Sequence, residues 1–283
     1  MNTTISNKKL KASIKHAGAE LFSLIDNQNI EYMWNGNPDY WPKHSPVLFP
    51  IVGSLKNETY TFNQKDYHLP RHGFARDMEF QLIEKTTSSA VFSLIYNEET
   101  LIKYPFKFEL QIVYSLEENK LNIAYKIINK EEKKLPFSIG AHPAFALPGD
   151  FSNYSIQFEK QEKLEYHLLE DGLISNTTEI LAASNNIVPL NYKLFEKDAL
   201  IFKTIKSNSL TIYENTKPYL KVDFENFPNL GIWTKENAPF ICIEPWYGYS
   251  DTTEKYGDLL KKEGILILEA NQTFETSFDI EIL

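Results

Sequence analysis

The sequence predicts an all-β protein, a large antiparallel β-sandwich with few short helices. Inward-type residues alternate strictly at Phe108, Leu110, Ile112 and Tyr114, at Leu121, Ile123, Tyr125 and Ile127, and at Phe274, Thr276, Phe278, Ile280 and Ile282. That period of two belongs to half-buried strands. Polar clusters at 117–120, 129–134 and 207–209 separate such runs at the spacing of consecutive antiparallel strands. Helical periodicity is confined to Asn97–Tyr104 and Thr253–Lys262, which is too little to support βαβ crossovers.

A chain of 283 residues could hold two average domains, yet all-β sandwiches of this size commonly form one. With no repeat, low-complexity tract or composition break, the expectation is one domain over residues 1–283. The net charge of -9 argues against a nucleic-acid partner, which would require a basic face. The longest apolar stretches, such as 46–53, are too short to cross a bilayer, and Met1–Leu10 lacks a leader pattern. Cys242, the one cysteine, has no partner for an internal disulfide. The expected setting is the cytoplasm, without a membrane partner.

The 29 basic residues include two arginines, Arg71 and Arg76, which stand together in Leu69-Pro-Arg-His-Gly-Phe-Ala-Arg-Asp77. A planar, permanently charged fork binds in ways that lysine does not. Chance placement in a lysine-biased chain is the competing explanation.

His142 in Gly140-Ala-His-Pro-Ala-Phe145 and Glu244 in Cys242-Ile-Glu-Pro-Trp-Tyr-Gly248 each interrupt an apolar strand and precede a proline. Proline holds the preceding residue in extended geometry, which fixes the direction of its side chain. A carboxylate among Ile241, Ile243 and Trp246 is partly desolvated, so it must be partnered or acquire a raised pKa, and both suit a general base. A structural ion pair is the alternative. An imidazole can donate a proton near neutrality, although a hydrogen-bonded core histidine fits His142 equally well. His72, between Arg71 and Gly73, reads either as a ligand contact or as a surface turn.

No metal site is expected. His68 and His72 are four apart, but Pro70 breaks the helix that such a pair needs, and no second cluster is visible. Cys242 shares a strand face with Glu244 and reads as a small buried hydrophobe. No nucleophile elbow, phosphate-cradling loop or dinucleotide fingerprint is present, so no cofactor is expected. The four tryptophans, Trp34, Trp41, Trp233 and Trp246, lie in or near the segments rich in Pro, Gly and His, a placement that suits a concave sugar site.

The segments Pro46-Val-Leu-Phe-Pro-Ile-Val-Gly53, Pro70-Arg-His-Gly-Phe-Ala-Arg-Asp77, Gly140-Ala-His-Pro-Ala-Phe145 and Glu244-Pro-Trp-Tyr-Gly248 resemble, in order and spacing, the aldose 1-epimerase (galactose mutarotase-like) family, in its LacX-like branch. The resemblance implies a galactose-mutarotase-like sandwich that binds a small-molecule sugar. It places Glu244 as base, His142 as acid and His72 as a second, sugar-binding histidine. Asp198, with Asp251 as second candidate, takes the place of the family's binding aspartate, and Trp246 is expected to line the sugar site. The family's binding arginine follows the glycine that is Gly53 here, where this chain has Ser54. Lys56, Arg71 or Arg76 is expected to supply the missing donor.

The function expected from these residues is cofactor-independent interconversion of the α and β anomers of a free aldose. A non-catalytic sugar-binding or sensing protein is the alternative, kept open by Ser54. A hexose-phosphate epimerase ranks last, because it requires a cationic pocket and the chain has two arginines.

Overall fold

A computed structural model describes residues 1–254 and 257–283. Its strands form two large antiparallel sheets. The nine-stranded sheet runs, in spatial order, Ile187–Pro189, Tyr154–Phe158, Ser209–Glu214, Lys217–Asp223, Thr273–Ile282, Lys120–Asn129, Phe108–Glu117, Ser89–Ile95 and Gln81–Lys85. The predicted alternation is realised in it: from Lys120 to Asn129 burial switches at every residue, and Ile123 pairs with Tyr114 on one side and Phe278 on the other.

The second sheet has eight strands. Its path is Leu173–Ile180, Glu165–Glu170, Leu200–Phe202, Asn229–Trp233, Phe240–Tyr247, Ile139–Ala141 and Val47–Leu48, with Ala144–Ala146 also paired to Phe240–Tyr247. Ile241 and Ile243 join the core between the sheets, together with Leu200, Phe202, Leu230 and Ile232. The alternate residues belong elsewhere: Cys242 and Phe240 pack with Trp34 and Ala144, and Trp246 packs with Leu48, Val52 and Ile201. Period-two geometry thus gives the central strand two buried faces. One faces the sandwich core, the other the floor of a concavity.

Helix is scarce, as expected. Glu98–Lys103 is one short α-helix, capped by Asn97, whose side chain accepts from the backbone of Thr100. In the second helical stretch, Leu259–Lys261 forms a 3-10 turn, and residues 255 and 256 lie outside the described residues.

Candidate functional site

Glu244 lies in the middle of Phe240–Tyr247, and the strand register determines what surrounds it. On one side Gly231 is its direct cross-strand partner, so no side chain crowds the carboxyl. On the other side Gly140 pairs with Trp246 and Ala144 pairs with Cys242, in one continuous register. His142 falls in the gap between those pairs, opposite Glu244. Pro143 has no N–H to give the ladder, and the break it helps to make turns the histidine toward the glutamate. Nε2 of His142 is 3.3 Å from Oε2 of Glu244.

Both groups are buried, with relative exposures of 8% for His142 and 1% for Glu244. Burial raises the Glu244 carboxyl well above its ordinary range; the charge of Arg71 opposes this and that of Asp198 adds to it. Burial, aided by Arg71 and Arg76, pulls His142 well below the usual imidazole value. The two shifts together favour a neutral carboxyl beside a neutral imidazole. A protonated carboxyl beside a neutral imidazole holds the same number of protons as a carboxylate beside an imidazolium. Oε2 of Glu244 and Nδ1 of His142 have no hydrogen-bond partner among the described residues.

Aromatic rings fix the histidine. Trp41 stacks on it with centroids 4.8 Å apart and planes at 25°, and Trp233 and His72 meet it edge-on at 5.9 and 5.8 Å. Trp246 is wedged into the floor beside them. A Cβ added at Gly140 would lie 2.5 Å from one end of its indole, and one at Gly231 would lie 2.5 Å from the other. Its Nε1 donates to the Ala141 carbonyl at 3.2 Å.

His72 stands in a turn with φ 69°. Its N–H donates to the Gly53 carbonyl at 2.8 Å, and the Gly53 N–H donates to its Nδ1 at 3.0 Å. Burial, reinforced by the charges of His142, Arg71 and Arg76, keeps the ring neutral. With Nδ1 committed to a buried backbone donor, the single ring proton belongs on Nε2. Arg71 Nε lies 3.2 Å from that same Nε2. Two donors thus converge where one lone pair at most is available.

These residues line a cavity of about 530 Å³, which also takes in Asp198, Arg71, Arg76, Tyr249 and the apolar Leu169, Ile174 and Phe195. Of the residues singled out in the sequence, Glu244, His142, His72, Arg71, Arg76, Asp198 and Trp246 come together there. Asp198 holds φ 81°, an unusual backbone state for a residue with a side chain, and accepts from the Ala199 N–H at 2.7 Å.

Lys56 does not join them, which corrects the expectation that it binds substrate. Its ammonium donates to the Thr253 carbonyl at 2.5 Å, and its backbone N–H donates to Asp251 at 2.9 Å. Asp251 also pairs with Lys262 at 3.5 Å. Both are clamps between the 53–56 segment and the 251–262 segment, outside the cavity lining. The space next to Ser54 is approached by Arg71: a Cβ on Gly172 would lie 3.2 Å from Ser54 Oγ and 4.0 Å from Arg71 Nη1.

The expectation of no metal-ligand cluster also needs amending. Ligand atoms of His142, Cys242 and Glu244 lie within 4.8 Å of one another. Sequence spacing hid this set because His142 lies in a strand break about a hundred residues before the strand that carries Cys242 and Glu244. Two of the three are the acid–base pair itself. The Cys242 thiol is pushed up by burial and by Glu244, and therefore stays protonated, a poor state for a ligand. Trp41 and Trp233 were noted only as part of a tryptophan-rich context; nothing in their spacing marks them as neighbours of His142.

The family model for aldose 1-epimerase matches residues 1–266. The chain is 36% identical to the protein "LacX, chromosomal" of Lactococcus lactis subsp. lactis, over the full length of both. Among solved structures, a galactose mutarotase related enzyme from Lactobacillus acidophilus superimposes with a TM-score of 0.96 at 34% identity, covering 100% of this chain and 97% of the other. A galactose mutarotase-like protein from Lactobacillus casei ATCC 334 gives 0.94 at 31%, with both chains fully covered.

Proposed function

The chain belongs to the aldose 1-epimerase family, and from that premise we propose that it interconverts the α and β anomers of an aldose by acid–base ring opening and closure. The observation that carries this reading is the buried pair of His142 and Glu244, 3.3 Å apart.

In the competent state Glu244 is the carboxylate and His142 the imidazolium, which the net-neutral pair reaches by moving one proton. Glu244 takes the proton of the anomeric hydroxyl while His142 gives one to the ring oxygen, and the bond between the anomeric carbon and the ring oxygen breaks. The product is the open-chain aldehyde. Rotation about the first carbon–carbon bond presents the other carbonyl face. The ring hydroxyl then attacks, returning its proton to His142, while the carbonyl oxygen takes back the proton held by Glu244. Each turnover restores the pair, and no other reactant enters.

Trp41 and Trp233 offer apolar faces that fit the C–H faces of a pyranose. His72 donates from Nε2, Asp198 accepts sugar hydroxyls, and Arg71 supplies the donor that the family draws from the position after Gly53. Positioned acid–base groups each contribute on the order of 10²- to 10⁴-fold, which suffices for a reaction measurable unaided.

The test is polarimetric mutarotation over a panel of aldoses, beside affinity by calorimetry. Acceleration of at least one aldose supports the reading. Tight sugar binding with no acceleration of any would leave a binding protein on this scaffold.

A further inference from the structure

Two arginines in a chain of net charge -9 were the reason to rank anionic sugars last. The fold removes that reason, because both line the same cavity. Both arginines gather at the His72 end: Arg71 Nε lies 3.2 Å from His72 Nε2, and Arg76 Nη2 lies 2.8 Å from the Arg71 carbonyl, in a molecule that is acidic as a whole.

At that end the donors outnumber the acceptors. Arg76 gives one nitrogen to the Arg71 carbonyl at 2.8 Å and leans on Asp77 at 3.5 Å, a carboxylate that Lys43 also holds at 3.0 Å. Arg71 forms no ion pair among the described residues, and its Nε faces the Nε2 of His72, which already carries a proton. An acceptor oxygen brought in by a ligand would satisfy both donors, and an anion would do so most strongly. His72 meets the His142 ring at 5.8 Å, so this end lies about one sugar ring from the reacting pair.

We propose that the His72 end of the cavity is an anion subsite, in which Arg71, Arg76 and His72 Nε2–H hold the phosphate or carboxylate of an aldose derivative whose anomeric carbon lies at His142 and Glu244. This rests on the reading of the site as a sugar cavity. It concerns binding, so it is measurable whether or not the protein accelerates mutarotation.

The experiment is calorimetric binding of glucose and galactose, their 6-phosphates, and glucuronate and galacturonate, to wild type and to Arg71→Gln, Arg76→Gln and the double variant. At least one anionic series should bind tenfold or more tightly than its neutral parent, with an affinity that falls as salt rises. A 6-phosphate advantage alone identifies phosphate as the anion; a hexuronate advantage identifies carboxylate. In the double variant the ratio of anionic to neutral affinity should fall to about one, whatever Arg71 itself contributes to the neutral sugar, and Arg76→Gln alone should lower that ratio. Where a glutamine variant fails to fold, the salt dependence in wild type decides. Neutral sugars binding as tightly as every anionic derivative, or an anionic advantage that survives the double variant or rising salt, would overturn the proposal.

Discussion

His142 lies directly across the strand register from Glu244, with Nε2 3.3 Å from Oε2, and both side chains are almost fully withdrawn from water. Desolvation shifts the two groups in opposite directions, upward for the carboxyl and downward, to about 3, for the imidazole. The pair therefore gains a second proton only in strong acid and loses its one only well above the ordinary carboxylate range. His72 is lowered too. The expected profile of kcat/KM, corrected for the uncatalysed reaction, has no limb at the ordinary carboxyl value near 4.5 or the ordinary imidazole value near 6.5. An acid limb centred near 6.5, the unperturbed imidazole value, would show that His142 is not desolvated as described.

The same burial costs stability. A carboxyl whose folded pKa stands above its unfolded value near 4.5 stabilises the fold below that value, and this contribution is lost as pH rises toward the folded value. His142, lowered in the fold, acts in the opposite sense but only below its unfolded value of 6.5. Glu244→Gln, which removes that titration, should therefore melt at a higher temperature than wild type at pH 8, with a gap that opens as pH rises above 4.5. Thermal denaturation followed by circular dichroism measures this, and a variant less stable than wild type at pH 8 would contradict it.

Gly231 admits both the Glu244 carboxyl and one end of the Trp246 indole, whose other end is stopped at Gly140. The ring has nowhere to retreat. Gly231→Ala should cost about 1–3 kcal/mol in chemical denaturation, the usual range for overpacking, and should slow turnover by moving the floor under the acid–base pair. A neutral result would mean that the indole can shift freely.

Proton transfer by His142 and Glu244 supplies both the acid and the base, so the expected rate is the same before and after dialysis against a chelator. A loss of activity restored by a divalent cation would instead give the His142, Cys242 and Glu244 cluster a metal role.

Much of this was legible in the sequence because the physics is local. Alternation at Leu121–Ile127 and Phe274–Ile282 specifies strands, and proline after His142 and after Glu244 marks side chains held in fixed directions. What could not be read is long-range register. Nothing near Gly231 shows that it will lie opposite Glu244, nor does the sequence place Trp41 against His142. Lys56 was misplaced for a related reason: a long flexible side chain reaches whichever acceptor tertiary packing brings, here the Thr253 carbonyl. The arginine pair was conspicuous in the sequence, but only the fold puts both guanidinium groups into one cavity.

The most direct test of the central claim is the mutarotation rate of Glu244→Gln by polarimetry, with sugar affinity by calorimetry on the same samples. Glutamine keeps the shape and much of the hydrogen bonding, so loss of proton abstraction is isolated. Affinity should stay close to wild type while turnover falls by roughly a hundredfold or more, the low end for losing a general base, with His142→Asn similar and the double variant little worse than either. Full activity in Glu244→Gln would contradict the account, because the proton would then be taken by another group.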